Sequence, residues 1–191
     1  MESPKLIKIW DLPLRIFHWL LVAGFSAAYL TEDELLTIHV WAGYLVLSLL
    51  VFRLFWGFAG NSYARFSNFL CSPARSVAYV KDAVALKAKR YLGHNPAGAA
   101  MIVLLIVSLF VTVISGLIVY AADQNLGPLA GLVSPSNEKF WEEAHEIAAN
   151  LSLLLVIVHV LGVAFESVIH KENLVKAMWN GNKKPADNNP G

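Results

Sequence analysis

Four long runs of apolar residues, separated by short polar or charged stretches, dominate the chain. They cover about residues 12–30, 36–58, 97–121 and 140–169. Each comes close to or exceeds the roughly 20 residues a helix needs to cross a hydrocarbon layer about 30 Å thick. The first run opens with Pro13, tolerated in the first turn of a helix, and carries Arg15 and His18 near its start. An acidic turn, Thr31-Glu32-Asp33-Glu34, leads into the second run, with His39 near its beginning and Arg53 near its end. The longest connection, 59–97, is polar and basic. Within it, Ser76 to Leu92 sets Val77, Val80, Val84 and Tyr91 beside Lys81, Lys87, Lys89 and Arg90, which predicts a short helix lying in the headgroup region. His94-Asn95-Pro96 introduces the third run. A loop with Gly, Pro and Asn spans 122–139, and the fourth run holds His145 and His159. The polar tail 181–191 is expected to be disordered, which leaves one domain over residues 1–180.

Composition sharpens the membrane reading. Of the 191 residues, 57% are apolar and 15% charged, where a soluble domain has about 25% charged. A net charge of +1 gives no footing for a nucleic-acid partner. The single cysteine, Cys71, excludes an intramolecular disulfide and a Cys-ligated iron–sulfur cluster, and reads as a packed or interfacial thiol. The first apolar run lacks a small-residue cleavage site, so it is expected to remain as a span rather than act as a cleaved signal. Of the 15 Lys and Arg, only Lys139 falls outside the N-terminus, the 59–97 connection, the C-terminus and the adjoining helix ends. Lysine and arginine gather on the cytoplasmic side of spanning proteins, so both termini are expected there. The opposite surface carries Glu32, Asp33, Glu34, Asp123, Glu138, Glu142 and Glu143. Trp10, Trp56 and Trp179 on one side and Trp41 and Trp141 on the other read as interfacial belts.

With the topology set, the histidines acquire depths. His18 and His159 fall toward the cytoplasmic face, and His39 and His145 toward the outer one. His145 and His159 are 14 residues apart, within about 40° of whole turns and therefore on one helix face, separated by roughly 21 Å along the axis. Depth thus pairs His18 with His159 and His39 with His145, and each pair could grip one iron from both sides. Ionisable groups inside a bilayer are costly and default to function. No carboxylate or cysteine at these depths completes a tetrahedral zinc set, so bis-histidine haem ligation is the reading. Gly43, one turn after His39, and Gly116 and Gly162 leave room either for a flat porphyrin or for tight helix packing. Arg53, 14 residues after His39, is either a partner of a haem propionate or a snorkelling arginine. Arg15 carries the same two readings. His94 lies at the start of the third span, as a propionate or quinone contact or as a loop cap. His170 reads as a solvated helix-end residue.

These motifs resemble those of the bacterial cytochrome b561 and Ni,Fe-hydrogenase b-type cytochrome superfamily. The matching stretches are IKIWDLPLRIFHW (7–19), IHVWAGYLVLSLLVFRLFWG (38–57), LGHNPAGA (92–99), SGL (115–117), AHE (144–146), VHVLG (158–162) and ENLVKAMWNGNKK (172–184). The resemblance implies an all-α membrane protein, a bundle of four transmembrane helices holding two b haems, multi-pass in the bacterial inner membrane. It implies His18, His39, His145 and His159 as axial ligands and Arg53 beside the inner haem. LGHNP looks closer to the hydrogenase-type branch, although the longer loops and tail of many hydrogenase subunits are missing.

The expected function is electron transfer across the lipid bilayer, between a membrane quinone (ubiquinone or menaquinone) and an outer-face partner. That partner is a periplasmic c-type cytochrome or a hydrogenase-like subunit. His94, Arg15 and Glu166 are candidates for handling protons at a quinone site. The alternative is a stand-alone superoxide oxidase that reduces ubiquinone; the acidic outer surface opposes it, since an anionic substrate is guided by cations.

Overall fold

The computed structural model of the chain describes residues 6–32 and 35–185. Helices make up most of it. A two-residue strand β1 (Ile7–Lys8) is followed by α1 (Leu12–Leu30), α2 (Leu36–Ala59), α3 (Phe66–Phe69), α4 (Pro73–Val84), α5 (Pro96–Gln124), a 3-10 turn (Pro135–Asn137), α6 (Glu138–Ile169), α7 (Leu174–Asn180) and β2 (Asn182–Lys183). Among the described residues, four helices are long and apolar enough to cross a membrane: α1, α2, α5 and Pro135–Ile169. Large side chains on them stand exposed, including Trp41 at 68%, Phe58 at 76% and Val168 at 77%. Such a surface suits lipid rather than water. The third and fourth helices outrun the apolar runs by a few residues. Asn95 Oδ1 accepts from Gly98 N at 2.7 Å ahead of α5, with Pro96 in the first helical position.

The packing gathers into two compact units, each drawing on all four long helices. One comprises the chain up to His18, Phe52–Ile102 and the chain from Val158 on; the other comprises Trp19–Val51 and Val103–Ile157.

In the His18 unit the two ends of the described chain are tied together. β1 and β2 pair antiparallel, Ile7 with Lys183 and Lys8 with Asn182, so the fold is not wholly helical. Ile9 and Trp10 N–H groups both donate to the Gly181 carbonyl at 2.8 and 3.1 Å. Gly181 ends α7 in the left-handed region, φ +85°, where a Cβ would stand 2.5 Å from the Trp10 carbonyl. Asp11 caps α1 through Leu14 N at 3.0 Å and accepts from Trp56 Nε1 at 3.1 Å. Arg90 reaches Glu172 at 2.9 Å and the carbonyls of Lys184 and Pro185, and Lys183 Nζ lies 3.6 Å from Glu172. The expected disorder over 181–191 is therefore corrected for 181–185, which backbone pairing and buried charge hold in place; 186–191 lie outside the described residues. The interfacial helix is also shorter than expected. It stops at Val84, and Leu86 takes φ 58°, so Tyr91 is off the helix. Ser76, Tyr79 and Ala83 form its buried face and Val77, Val80 and Val84 its exposed one. Cys71 Sγ packs 3.5 Å from Ser76 Oγ.

In the His39 unit, Val46, Leu50, Leu109 and Val113 form a core of α2 and α5, joined by Leu21 and Phe25 of α1. Gly24 brings α1 against Leu45 and Val46; a Cβ there would sit 3.3 Å from each. Polar groups cross-link the helices, as membrane interiors favour. Thr112 meets the fully buried Ser152 at 3.0 Å, and Tyr29 donates to Asn150 at 3.0 Å.

Candidate haem site

The four intramembrane histidines stand in two facing pairs. In the His39 unit, the rings of His39 from α2 and His145 from α6 have centroids 6.0 Å apart and lie nearly perpendicular, at 88°. In the His18 unit, His18 from α1 and His159 from α6 face each other at 6.5 Å, tilted by 56°. Two imidazoles gripping one metal through bonds of about 2 Å are separated by roughly 6 Å between ring centres. Backbone carbonyls orient the first pair. His39 Nδ1 lies 2.8 Å from the Ala28 carbonyl, and His145 Nδ1 2.8 Å from the Thr112 carbonyl. A carbonyl accepts only, so Nδ1 carries the hydrogen in both rings and Nε2 is left as the lone-pair donor, the arrangement usual for metal-bound imidazole. Ser115 Oγ, 3.2 Å from His145 Nδ1, closes the same corner.

A cavity adjoins this pair, with about 710 Å³ of atom-free space, part of it open to the surroundings. Phe25, Val46, Val113 and Leu117 make its apolar wall, Tyr29, Tyr44 and Tyr120 its polar points, and both Gly43 and Gly116 line it. The two glycines differ. A Cβ on Gly43 would meet nothing within 4 Å among the described residues, so that glycine faces open space and not a neighbouring helix. A Cβ on Gly116 would stand 2.8 Å from His145 Cε1, so that glycine lets the imidazole lie against α5. Gly162 likewise meets nothing within 4 Å.

In the His18 unit, Arg53 is 2% exposed and its guanidinium lies 4.5 Å over the Phe66 ring, a cation–π contact. Gly57 makes room for that ring, since a Cβ there would overlap it. Nη1 of Arg53 is buried with no hydrogen-bond partner among the described residues, which is costly for a charged group. His94 is sandwiched between Trp10 and Phe69, 4.6 Å from each ring, with Nδ1 buried and unpartnered. Burial first, and then the charge of Arg53, push its pKa down to about 3, so His94 is neutral. Arg15 donates to the Trp179 carbonyl and so secures α7. Two expectations are corrected here. Trp10 is a buried ring against His94 and not an interfacial one. His170 is not solvated, for it lies 3.1 Å from Glu166 with 13% of its side chain exposed. Sequence reasoning did not find the Ala28 and Thr112 carbonyls, the three tyrosines, Phe66 or Phe69. The Thr112, Ser115, Gly116 spacing on one helix was the available signal.

Paired imidazoles on helices able to cross a membrane, one pair beside an apolar cavity, define a membrane cytochrome of the b type. The sequence model of the prokaryotic cytochrome b561 family matches residues 9–181, and the chain belongs to that family. It is therefore a multi-pass membrane cytochrome of electron transport. Curated relatives include proteins named probable Ni/Fe-hydrogenase B-type cytochrome subunit from Azotobacter chroococcum mcd 1, 23% identical with 96% of this chain and 91% of the relative covered. One from Azotobacter vinelandii is 24% identical, with the same shares covered. Another, from Cupriavidus necator, is 23% identical over 94% of this chain and 88% of its own length. No solved structure matches.

The family implies haem b, and the residues present fit it. Among the described residues no group of three or more His, Cys, Asp or Glu side chains gathers to hold a metal ion. A metal between two imidazoles therefore needs in-plane ligands of its own, which a porphyrin brings. The orphaned Nη1 of Arg53 suits a carboxylate partner, and the void at Gly43 suits a flat ring.

Proposed function

We propose that the chain is a di-haem b-type cytochrome of the bacterial inner membrane that carries electrons between the membrane quinone pool and a redox partner at the outer face. The observation that carries this reading is the facing of His39 with His145 and of His18 with His159 at 6.0 and 6.5 Å. A haem b held by each pair of imidazoles would supply one-electron redox chemistry, which suits electron transfer. The chain's residues supply the setting. His39 and His145 hold their ring hydrogens on backbone carbonyls, which leaves Nε2 of each free to hold a haem iron. Arg53 offers a buried cation to a propionate of the inner site. The apolar wall of the His39 cavity keeps water from the outer site. His94, neutral and buried near Arg53, belongs to the inner site as a propionate or quinone contact.

The relatives' names support a hydrogenase-type partner, and the acidic residues Glu32, Asp123, Glu138, Glu142 and Glu143 suit a basic docking face, as a c-type cytochrome would also present. The same charges oppose superoxide as substrate. Purified protein should give b-type reduced-minus-oxidised bands and two haems per chain by pyridine haemochrome. His145→Ala should remove the outer haem alone. One haem or none in the wild-type chain, or two in the variant, overturns the assignment.

A further inference from the structure

Glu166 is a shielded carboxylate that the electron path leaves without a task. It follows His159 in α6 by seven residues, two turns on and within about 20° of the same face, roughly 10 Å further along the axis. The Tyr79 hydroxyl from α4 lies 3.1 Å from Oε2 and 3.2 Å from Oε1, and His170 Nε2 lies 3.1 Å from Oε2. The side chains of Glu166 and His170 are 14% and 13% exposed, and Tyr79 is buried.

The surroundings narrow which of these groups exchanges a proton. Burial, and then the Glu166 charge and hydrogen bond, raise the Tyr79 phenol above its ordinary value, so it stays a donor. Tyr91, from the segment after α4, packs on the Tyr79 ring at 5.7 Å. Lys183 of β2 feels the Glu166 charge, but its ammonium is committed to Glu172, which Arg90 also holds. What remains is a carboxylate with an imidazole nitrogen 3.1 Å away, both side chains largely shielded from the surroundings.

We propose that Glu166 and His170 are the proton-binding pair coupled to reduction at the His18–His159 site; this rests on the haem reading above. One electron arriving between those imidazoles adds one negative charge about two helical turns from Glu166. The Glu166–His170 pair answers by binding one proton from the cytoplasmic side and releases it when the electron leaves. A quinone acceptor takes two electrons and two protons to become a quinol, and this pair is then the local source of those protons.

Spectroelectrochemical titration of the purified full chain across a pH series tests the proposal, with haem content measured in every sample. The midpoint potential of the haem that survives His145→Ala should fall as pH rises, toward the limit of tenfold in proton concentration per electron, about 59 mV per pH unit. The other haem should move less. Glu166→Gln should flatten the slope while both haems are retained, and the carboxyl band seen in redox-difference infrared spectra should vanish. His170→Gln should weaken the slope. Tyr79→Phe keeps the carboxylate but removes a hydrogen bond to its charged form, and should move the sloping window to higher pH. A flat wild-type profile, or an unchanged slope in Glu166→Gln, with two haems present, overturns this inference alone. A chain that binds no haem overturns both readings.

Discussion

Replacing Gly43 by alanine separates a cofactor seat from ordinary helix packing. Gly43 lies one turn after His39 and lines the cavity beside His39 and His145, yet an added Cβ meets no described atom within 4 Å. In the haem-free protein the methyl costs no contact, and the better helix propensity of alanine is worth about 1 kcal/mol. A porphyrin seated between the imidazoles would occupy that space. Forcing a methyl against a close-packed surface costs about 1–3 kcal/mol. At about 1.4 kcal/mol per decade, haem binding at this site should weaken about 5- to 150-fold. At the lowest free-haem concentration that fills both wild-type sites, haem content read by pyridine haemochrome should fall from two per chain toward one in Gly43→Ala, while the haem-depleted variant melts at or above the wild-type temperature. Two haems per chain in the variant at that concentration would refute a porphyrin in this cavity. A lowered melting temperature in the haem-free state would mean that the glycine packs against protein instead.

Other positions give independent readings. Arg53→Gln removes a buried cation and should lower the midpoint potential of the inner haem by on the order of 50 mV, about 1 kcal/mol for one electron, leaving the outer haem unchanged in a redox titration. Gly116→Ala should disturb the outer haem spectrum, because a Cβ placed 2.8 Å from His145 Cε1 makes the imidazole shift. Gly181→Ala meets both a left-handed backbone and the Trp10 carbonyl; a strained backbone alone costs about 1–3 kcal/mol, and limited proteolysis should then cut near residue 181. The C-terminal tie should also respond to pH. Burial works to raise the Glu172 carboxyl, but the hydrogen bond from Arg90 and the charges of Lys183 and Arg90 prevail and hold it below its ordinary value. A carboxyl lowered in the folded state stabilises fully above its unfolded value and loses that contribution as pH falls through the folded one. Hydrogen-exchange protection of residues 181–185 should therefore decline on acidification below the ordinary carboxyl range, and Glu172→Gln should abolish that dependence.

Much of the site was legible because membranes restrict what a sequence can do. An imidazole or guanidinium inside an apolar run is expensive wherever it points, so His18, His39, Arg53, His145 and His159 stood out from their neighbours in the chain alone. Helical arithmetic then placed them by depth. The reading failed where local signals were weak or misleading. Trp10 resembles an interfacial tryptophan, yet it is buried, with His94 from a distant segment packed on its ring. The Gly, Asn and Lys of residues 181–184 resemble a solvated tail, yet β1, Glu172 and Arg90 supply partners that lie far away in sequence. Tyr91 continues the stripe of Ser76–Leu92, but Leu86 in the left-handed region breaks the helix first.

The sequence by itself determined four apolar spans, the charge bias between their ends, and which titratable groups those spans carry, because hydropathy, charge bias and the 3.6-residue period act within a segment. Only the tertiary structure decided which carbonyl each imidazole meets, that Gly43 faces a void while Gly116 cradles a ring, and that Glu166 is held by Tyr79 beside His170. Those are contacts between segments tens of residues apart, and side-chain packing, which no local pattern encodes, selects among them.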